Sequence, residues 1–160
     1  MIKILVVSDI HFPDRRDTIP NLSEYINDID LIFALGDFTT FEVLNYLKGF
    51  GTPVSAVHGN MDEQLLKRNL PETHTVKIDG VKIGLFHGNG GPSGIEKRVR
   101  SKFKNELDAY LFGHSHRAMN KIINGSLFFN PGALCGNNKT IGILYIDFSN
   151  VWGKIIKFDG

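Results

Sequence analysis

Short runs rich in β-branched residues alternate with stretches of helical periodicity through the first seventy residues, and this alternation restricts the fold more than any other feature. Ile2–Val7, Asp30–Leu35 and Val54–Val57 are the apolar runs, while Ile19–Ile29, Phe41–Lys48 and Glu63–Asn69 carry the helical pattern. A βαβαβα order needs a parallel sheet with helices packed on it, because successive parallel strands must be joined by a crossover. Thr39 with Glu42 spells a capping box for the second helix, and Ser93 with Glu96 spells one for a fourth helix reaching about Leu107.

The second half changes pattern. Asp79-Gly80 joins the alternating runs Thr75–Asp79 and Val81–His87, and Asn124-Gly125 joins Met119–Ile123 to Ser126–Asn130; both dipeptides are hairpin signals. Thr140–Asp147 and Val151–Phe158 form a further pair, and Ala109–Phe112 is a short apolar run. Ten such strands fit poorly into one flat sheet, so the expected class is α/β, with two packed mixed β-sheets flanked by helices in four layers. No repeat, linker or low-complexity tract divides residues 1–160, which predicts a single domain. At 42% hydrophobic residues the chain can fill a core without disulfides, and the lone Trp152 and the phenylalanines are read as part of it.

Charge and cysteine content narrow the function. Eighteen Lys and Arg against 17 Asp and Glu leave a formal charge of +1, so no global field marks a nucleic-acid or membrane binder. Cys135 is the only cysteine, which excludes an intramolecular disulfide and a cysteine-only zinc site and points to a reducing cytoplasm. Neither a transmembrane span nor an export signal is expected.

Residues able to bind metal cluster at strand ends, where parallel α/β sheets present ligand sites. Asp9 and His11 follow the first strand, Asp37 the second and Asn60 the third. His87 ends a hairpin strand, and His114 and His116 follow Ala109–Phe112. Carboxylate oxygen and imidazole nitrogen without thiolate favour borderline divalent ions. Seven ligands exceed one tetrahedral site, whereas two ions sharing a carboxylate would use them all. Singly, each residue has a plain structural role open to it: Asp9, Asp37 and Asn60 as caps or turn formers, the histidines as satisfied or exposed side chains.

In this order, D-x-H, G-D, G-N, H-G and G-H-S-H resemble the calcineurin-like metallophosphoesterase superfamily, and Asn130-Pro-Gly resembles the NPG turn of its small stand-alone phosphodiesterase branch. That branch also contains the retromer scaffold subunit. The resemblance runs from Ser8 to Gly136 and agrees with the fold read from the pattern. It implies that Asp9, His11 and His116 bind one metal, that Asn60, His87 and His114 bind another, and that Asp37 bridges them. Asp37, Asn60 and His87 are the candidate catalytic residues. The implied cofactors are two divalent transition-metal ions, manganese or nickel first, then iron, cobalt or zinc. The implied reaction is in-line attack on a phosphate ester by a hydroxide bridging the ions. A small phosphate ester is the expected partner, with no membrane and no extended nucleic acid; relatives often dimerise, so a homodimer is also an expectation.

Two departures qualify this. Met61 stands where many relatives carry a histidine proposed to protonate the leaving alkoxide, and a thioether donates no proton; diesters or activated esters are therefore favoured. Asn89 stands where many relatives have a second histidine. Asp62 either orients Asn60 or caps a helix, His58 is structural or a substitute acid, and His74 is a surface residue. The basic run Lys97–Lys104 reads as a solvated helix face beside the stripe Ile95, Val99, Phe103, Leu107. The reading from another class is a metal-binding protein-interaction scaffold with little or no turnover. A nuclease module ranks third.

Overall fold

Every side chain from Ile4 to Val7 is buried, so strand β1 (Ile2–Val7) has no solvent face and sits in the middle of a sheet with apolar layers on both sides. It pairs in parallel with β2 (Leu31–Ala34), which pairs in parallel with β3 (Val54–Ala56). On its other side β1 pairs antiparallel with β9 (Thr140–Asp147), and β9 with β10 (Asn150–Lys157), giving the order β10-β9-β1-β2-β3. The second sheet runs β4 (Thr73–Ile78), β5 (Val81–Phe86), β6 (Ala109–Leu111), β8 (Ser126–Asn130) and β7 (Met119–Ile123). There β5, β6 and β8 are mutually parallel, and β4 and β7 close the edges antiparallel. The computed structural model describes residues 1–160.

Alternation along the strands creates three apolar layers. Ile4, Val6, Phe33, Leu35, Ile83, Leu85, Leu111 and Phe129 fill the space between the sheets. Leu5, Val7, Ile32 and Ala34 face the other way, onto helix α1 (Phe41–Lys48) through Val43, Leu44 and Leu47, and onto α2 (Gln64–Asn69) through Leu66. Tyr110, Phe112 and Phe128 meet Ile95 and Val99 of α3 (Ile95–Ser101) on the far side. The result is the expected four-layer α/β/β/α arrangement. Both hairpin dipeptides take positive φ at each residue, 48° and 84° at Asp79-Gly80 and 50° and 83° at Asn124-Gly125, as a type I′ turn requires.

Four local expectations fail, each for a physical reason. Ile19–Ile29 forms only a short 3-10 turn at Ser23–Tyr25, because Pro20 forces the preceding residue out of helical space and Asp28 turns left-handed at φ 60°. Its apolar side chains still pack on the sheet: Leu22 is buried and Ile19, Tyr25, Ile26 and Ile29 lie against the same cluster. Neither capping box forms. Glu63, from the loop before α2, accepts the Phe41 amide at 2.7 Å, and α3 begins at a left-handed Gly94. Helix α3 ends at Ser101, after which Phe103 and Leu107 continue the apolar stripe by folding onto the bare face of Gly84. Trp152 is 42% exposed, stacked on Tyr145 outside the core rather than in it. No helix is long and apolar enough to cross a membrane.

Candidate metal centre

The parallel strands of both sheets end on the same side of the molecule, and the loops leaving them interlock. Asp9 donates its amide to Gly36 O at 3.1 Å, His11 to Asp37 O at 3.0 Å, and Gly113 to His87 O at 2.9 Å. The loops approach so closely that several glycine positions admit no Cβ. One added at Gly59 would collide with the Asp37 carboxylate, and one at Gly113 with the Ser8 hydroxyl. Asp62, rather than orienting Asn60, receives the amides of Asp37 (3.0 Å), Thr39 (2.9 Å) and Gly59 (2.6 Å), so one buried carboxylate staples the loops after β2 and β3.

All seven predicted ligand residues gather here. Asp9, His11, Asp37 and His87 are buried, His114 and His116 are partly buried, and Asn60 is exposed at the mouth. Five of the seven have positive φ: Asp9 (54°), His11 (51°), Asp37 (53°), His114 (68°) and His116 (59°). Left-handed backbone at a non-glycine residue is uncommon and costs on the order of 1–3 kcal/mol, so its concentration here marks a site where side-chain direction has priority over backbone ease.

Four of the side chains are held by hydrogen bonds that leave another polar atom facing inward. Asp9 Oδ2 accepts from Ser8 Oγ at 2.8 Å and the His114 amide at 2.9 Å, leaving Oδ1 with no partner. Asp37 Oδ1 accepts the Met61 amide at 2.8 Å and turns Oδ2 inward. His87 Nδ1 donates to Leu35 O at 2.7 Å, which places the lone pair on Nε2, also buried and unpartnered. His114 Nε2 lies 2.9 Å from Gly90 O, and its Nδ1 lies 3.2 Å from Asn60 Oδ1.

These inward atoms fit a metal. His11 Nε2, His116 Nε2 and Asp9 Oδ1 stand 3.2, 3.3 and 3.6 Å apart, close to the ligand–ligand edges of about 3.0–3.4 Å around an ion with bonds near 2.1 Å. Asp37 Oδ2 is 3.2 Å from His87 Nε2 and 3.6 Å from His11 Nε2, and Asp37 belongs both to a group with Asp9 and His11 and to one with His87 and His114. Residues 2–150 match the model of the calcineurin-like phosphoesterase superfamily domain. The chain belongs to that superfamily.

A probable metallophosphoesterase of Methanothermobacter thermautotrophicus is 31% identical over 157 residues, 95% of this chain and 90% of the relative. A solved archaeal phosphodiesterase is 25% identical with a TM-score of 0.74, covering 97% of this chain and all of that one. Wild-type Vps29 of Entamoeba histolytica in complex with Zn2+ is also 25% identical, with a TM-score of 0.76 over 99% and 100% of the two chains.

In this superfamily member the cluster's electrostatics suit a cation. Burial pushes the Asp9 carboxyl up, but the imidazoles of His11 and His116 close to it and the charge of His87 outweigh it and hold it well below the usual carboxylate range. Asp37 is likewise raised by burial but lowered overall by His87 and the Met61 amide. His116 is pushed up to about 10, chiefly by the Asp9 carboxylate 3.3 Å away, and His87 is raised because Asp37 and Asp9 outweigh burial.

Two supporting residues go unmarked by the ligand motifs. Asn130 donates to Gly113 O at 3.0 Å and Ser115 Oγ at 3.1 Å while accepting from the Gly132 amide at 2.9 Å, which locks the G-H-S-H loop to the NPG turn. The Arg98 guanidinium donates to the carbonyls of Asn89 (2.9 Å), Ser93 (3.0 Å) and Gly91, so the glycine-rich loop is wrapped round a cation. Arg98 is the one residue of the basic run that holds this loop. Because it alternates with other cations along the run, its inward role has no local signature.

Proposed function

We propose that this chain hydrolyses phosphate esters, diesters in preference to alkyl monoesters, at a centre of two divalent transition-metal ions. Asp9, His11 and His116 hold one ion, Asn60, His87 and His114 the other, and Asp37 both; manganese or nickel suits this imidazole-rich set better than magnesium. The most direct support is the convergence of Asp9 Oδ1 and His87 Nε2, two buried atoms without partners 3.8 Å apart, beside the inward donors of Asp37, His11 and His116. When bound, such ions acidify water to a nucleophile at neutral pH and offset charge on the phosphoryl oxygens.

The chain's own residues prepare that chemistry. Leu35 O and Gly90 O fix the rings of His87 and His114, so no reorientation is needed when they become ligands. Asn60 offers an amide oxygen and adds no charge, preserving positive potential for an anionic substrate. Met61, 48% exposed in the cleft, gives its amide to Asp37 but brings no acid there. As water oxygen bonds to phosphorus and the P–O ester bond breaks, the departing oxygen leaves with the bond's electron pair and takes its proton from solvent. That favours aryl and other activated leaving groups.

The test compares bis(p-nitrophenyl) phosphate with an alkyl monoester on manganese-loaded wild type and Met61→His. Faster aryl diester cleavage is expected, with alkyl monoester turnover rising by up to about 100-fold in the variant, the usual worth of general-acid help. A wild type that prefers the alkyl monoester would overturn the diester preference. The likeness to Vps29 favours a second reading, a metal-binding interaction scaffold of the same fold. Two bound ions without turnover of any phosphate ester would establish it.

A further inference from the structure

The ligand cleft, about 320 Å³ and lined by His11, Asp37, Asn60, Met61, His114 and His116, does not end at the metal-binding atoms. Arg15 lines it and also lines a second cleft of about 460 Å³, whose wall includes Arg16, Lys139 and Cys135. The two hollows therefore share Arg15 as a common wall.

The cations in this second cleft are not equivalent. Arg16 is committed to the fold, donating to Thr18 O at 2.5 Å and Leu134 O at 2.6 Å. Arg15 and Lys139 enter no side-chain hydrogen bond or ion pair, and both face the cleft. Arg15 is nevertheless anchored, because its amide donates to His11 O at 2.8 Å and fixes its backbone to that of a ligand residue. Asp17 is the only acidic side chain in the lining, against Arg15, Arg16 and Lys139. On the opposite flank, beyond Asn60, the neighbouring hollow is lined by one cation, Lys67, and one acid, Glu72, which pairs with Lys102 at 3.2 Å, so its lining carries no net positive charge. The asymmetry means that one arm of a bound ester meets a cluster of cations and the other a single one. One phosphoryl group would already be matched by the metal centre, so cations beyond it are free to recognise a second anion.

We propose that the cleft between Arg15 and Lys139 is a substrate subsite for a second phosphate, carried on the ester arm that leaves the metal centre past Arg15. This rests on the phosphoesterase reading for the first phosphoryl group, but its test needs no turnover. Isothermal titration of the manganese-loaded protein would compare thymidine 5′-phosphate with thymidine 3′,5′-bisphosphate, with metal content checked before and after. The bisphosphate should bind at least about tenfold more tightly. That ratio should fall toward one in Arg15→Gln and in Lys139→Gln.

Lys77→Gln, a charge-matched change on strand β4, controls for net charge and should keep the ratio. Equal affinities in the wild type, a ratio surviving in both cleft variants, or an equal fall in Lys77→Gln would each overturn the proposal. Absence of hydrolysis alongside a selective bisphosphate ratio would instead count against the catalytic reading and leave the subsite standing.

Discussion

Left-handed backbone at His116 has a cost that glycine would not incur, and this allows its proposed role as a ligand to be separated from its role in the fold. A Cβ in that region costs roughly 1–2 kcal/mol, while glycine's greater freedom in the unfolded chain takes back about 0.5–1 kcal/mol. His116 is only half buried, so truncation sacrifices little packing. His116→Gly should therefore be about 0.5–1 kcal/mol more stable than His116→Ala in metal-free urea unfolding, with both variants losing metal affinity. An alanine variant as stable as the glycine one would mean that the backbone there is not strained. The same residue sets the pH response. His116, pushed up to about 10, keeps its proton at neutral pH in the metal-free protein and must release it on becoming a ligand in the proposed centre; the upward direction at His87 acts in the same sense. The metal-free form binds more protons, so apparent metal affinity should rise with pH toward about 10. Calorimetry in two buffers of different ionisation enthalpy should show at least one proton released per chain at pH 7.5; no buffer dependence would contradict this.

Among the elements, the loops are better specified locally than the helices. Asp9, His11, Asp37, Asn60, His87, His114 and His116 are legible because strand ends, glycines and ligand types coincide within a few residues of one another. The helix starts are not, because α1 receives its terminal acceptor from Glu63, 22 positions from Phe41, and a local capping pattern cannot see that partner. Pro20 was present to cancel the helix over Ile19–Ile29, but the apolar periodicity there survives as packing without helical backbone. Arg98 is hidden for a related reason, since its partners are carbonyls that any residue possesses. Its loop nevertheless carries Gly90, at φ 70°, whose missing Cβ leaves room for the Arg98 Nε and whose carbonyl meets His114. Arg98→Ala should free that loop and weaken metal binding through His114, typically by about 10–100-fold for a lost outer-shell support. Binding through Asp9, His11 and His116 should change far less, so titration with manganese should resolve one weakened and one retained ion. Uniform loss of both would indicate general unfolding instead.

At the scale of the whole molecule, the candidate centre lies on the seam between the sheets. Asp9, His11, Asp37 and Asn60 come from loops of the first sheet, and His87, His114 and His116 from loops of the second. The seam below is apolar and interlocked: the Phe129 ring of β8 occupies the space left by Gly142 of β9 and Gly153 of β10, where a Cβ would strike it. Hydrophobic packing therefore joins the sheets through their middle, whereas at the ligand end the join runs through buried polar atoms, three of which, Asp9 Oδ1, His11 Nδ1 and His87 Nε2, have no hydrogen-bond partner within the chain. Ions bound there would tie carboxylates of one sheet to imidazoles of the other, and a ligand that binds only the folded state stabilises it by mass action. Free manganese at 100 times its Kd should add about 2.7 kcal/mol, roughly 5–10 °C in Tm for a chain of this length. Asp37→Asn should shrink that increment more than Asn60→Ala does, because Asp37 reaches His11 of one group and His87 of the other, at 3.6 and 3.2 Å. Thermal unfolding of the three proteins across a manganese series, with a chelator-treated sample as the zero point, reads this directly. If the midpoint of the wild type did not move with manganese, the two sheets would not be sharing ions and the dinuclear assignment would have to be abandoned.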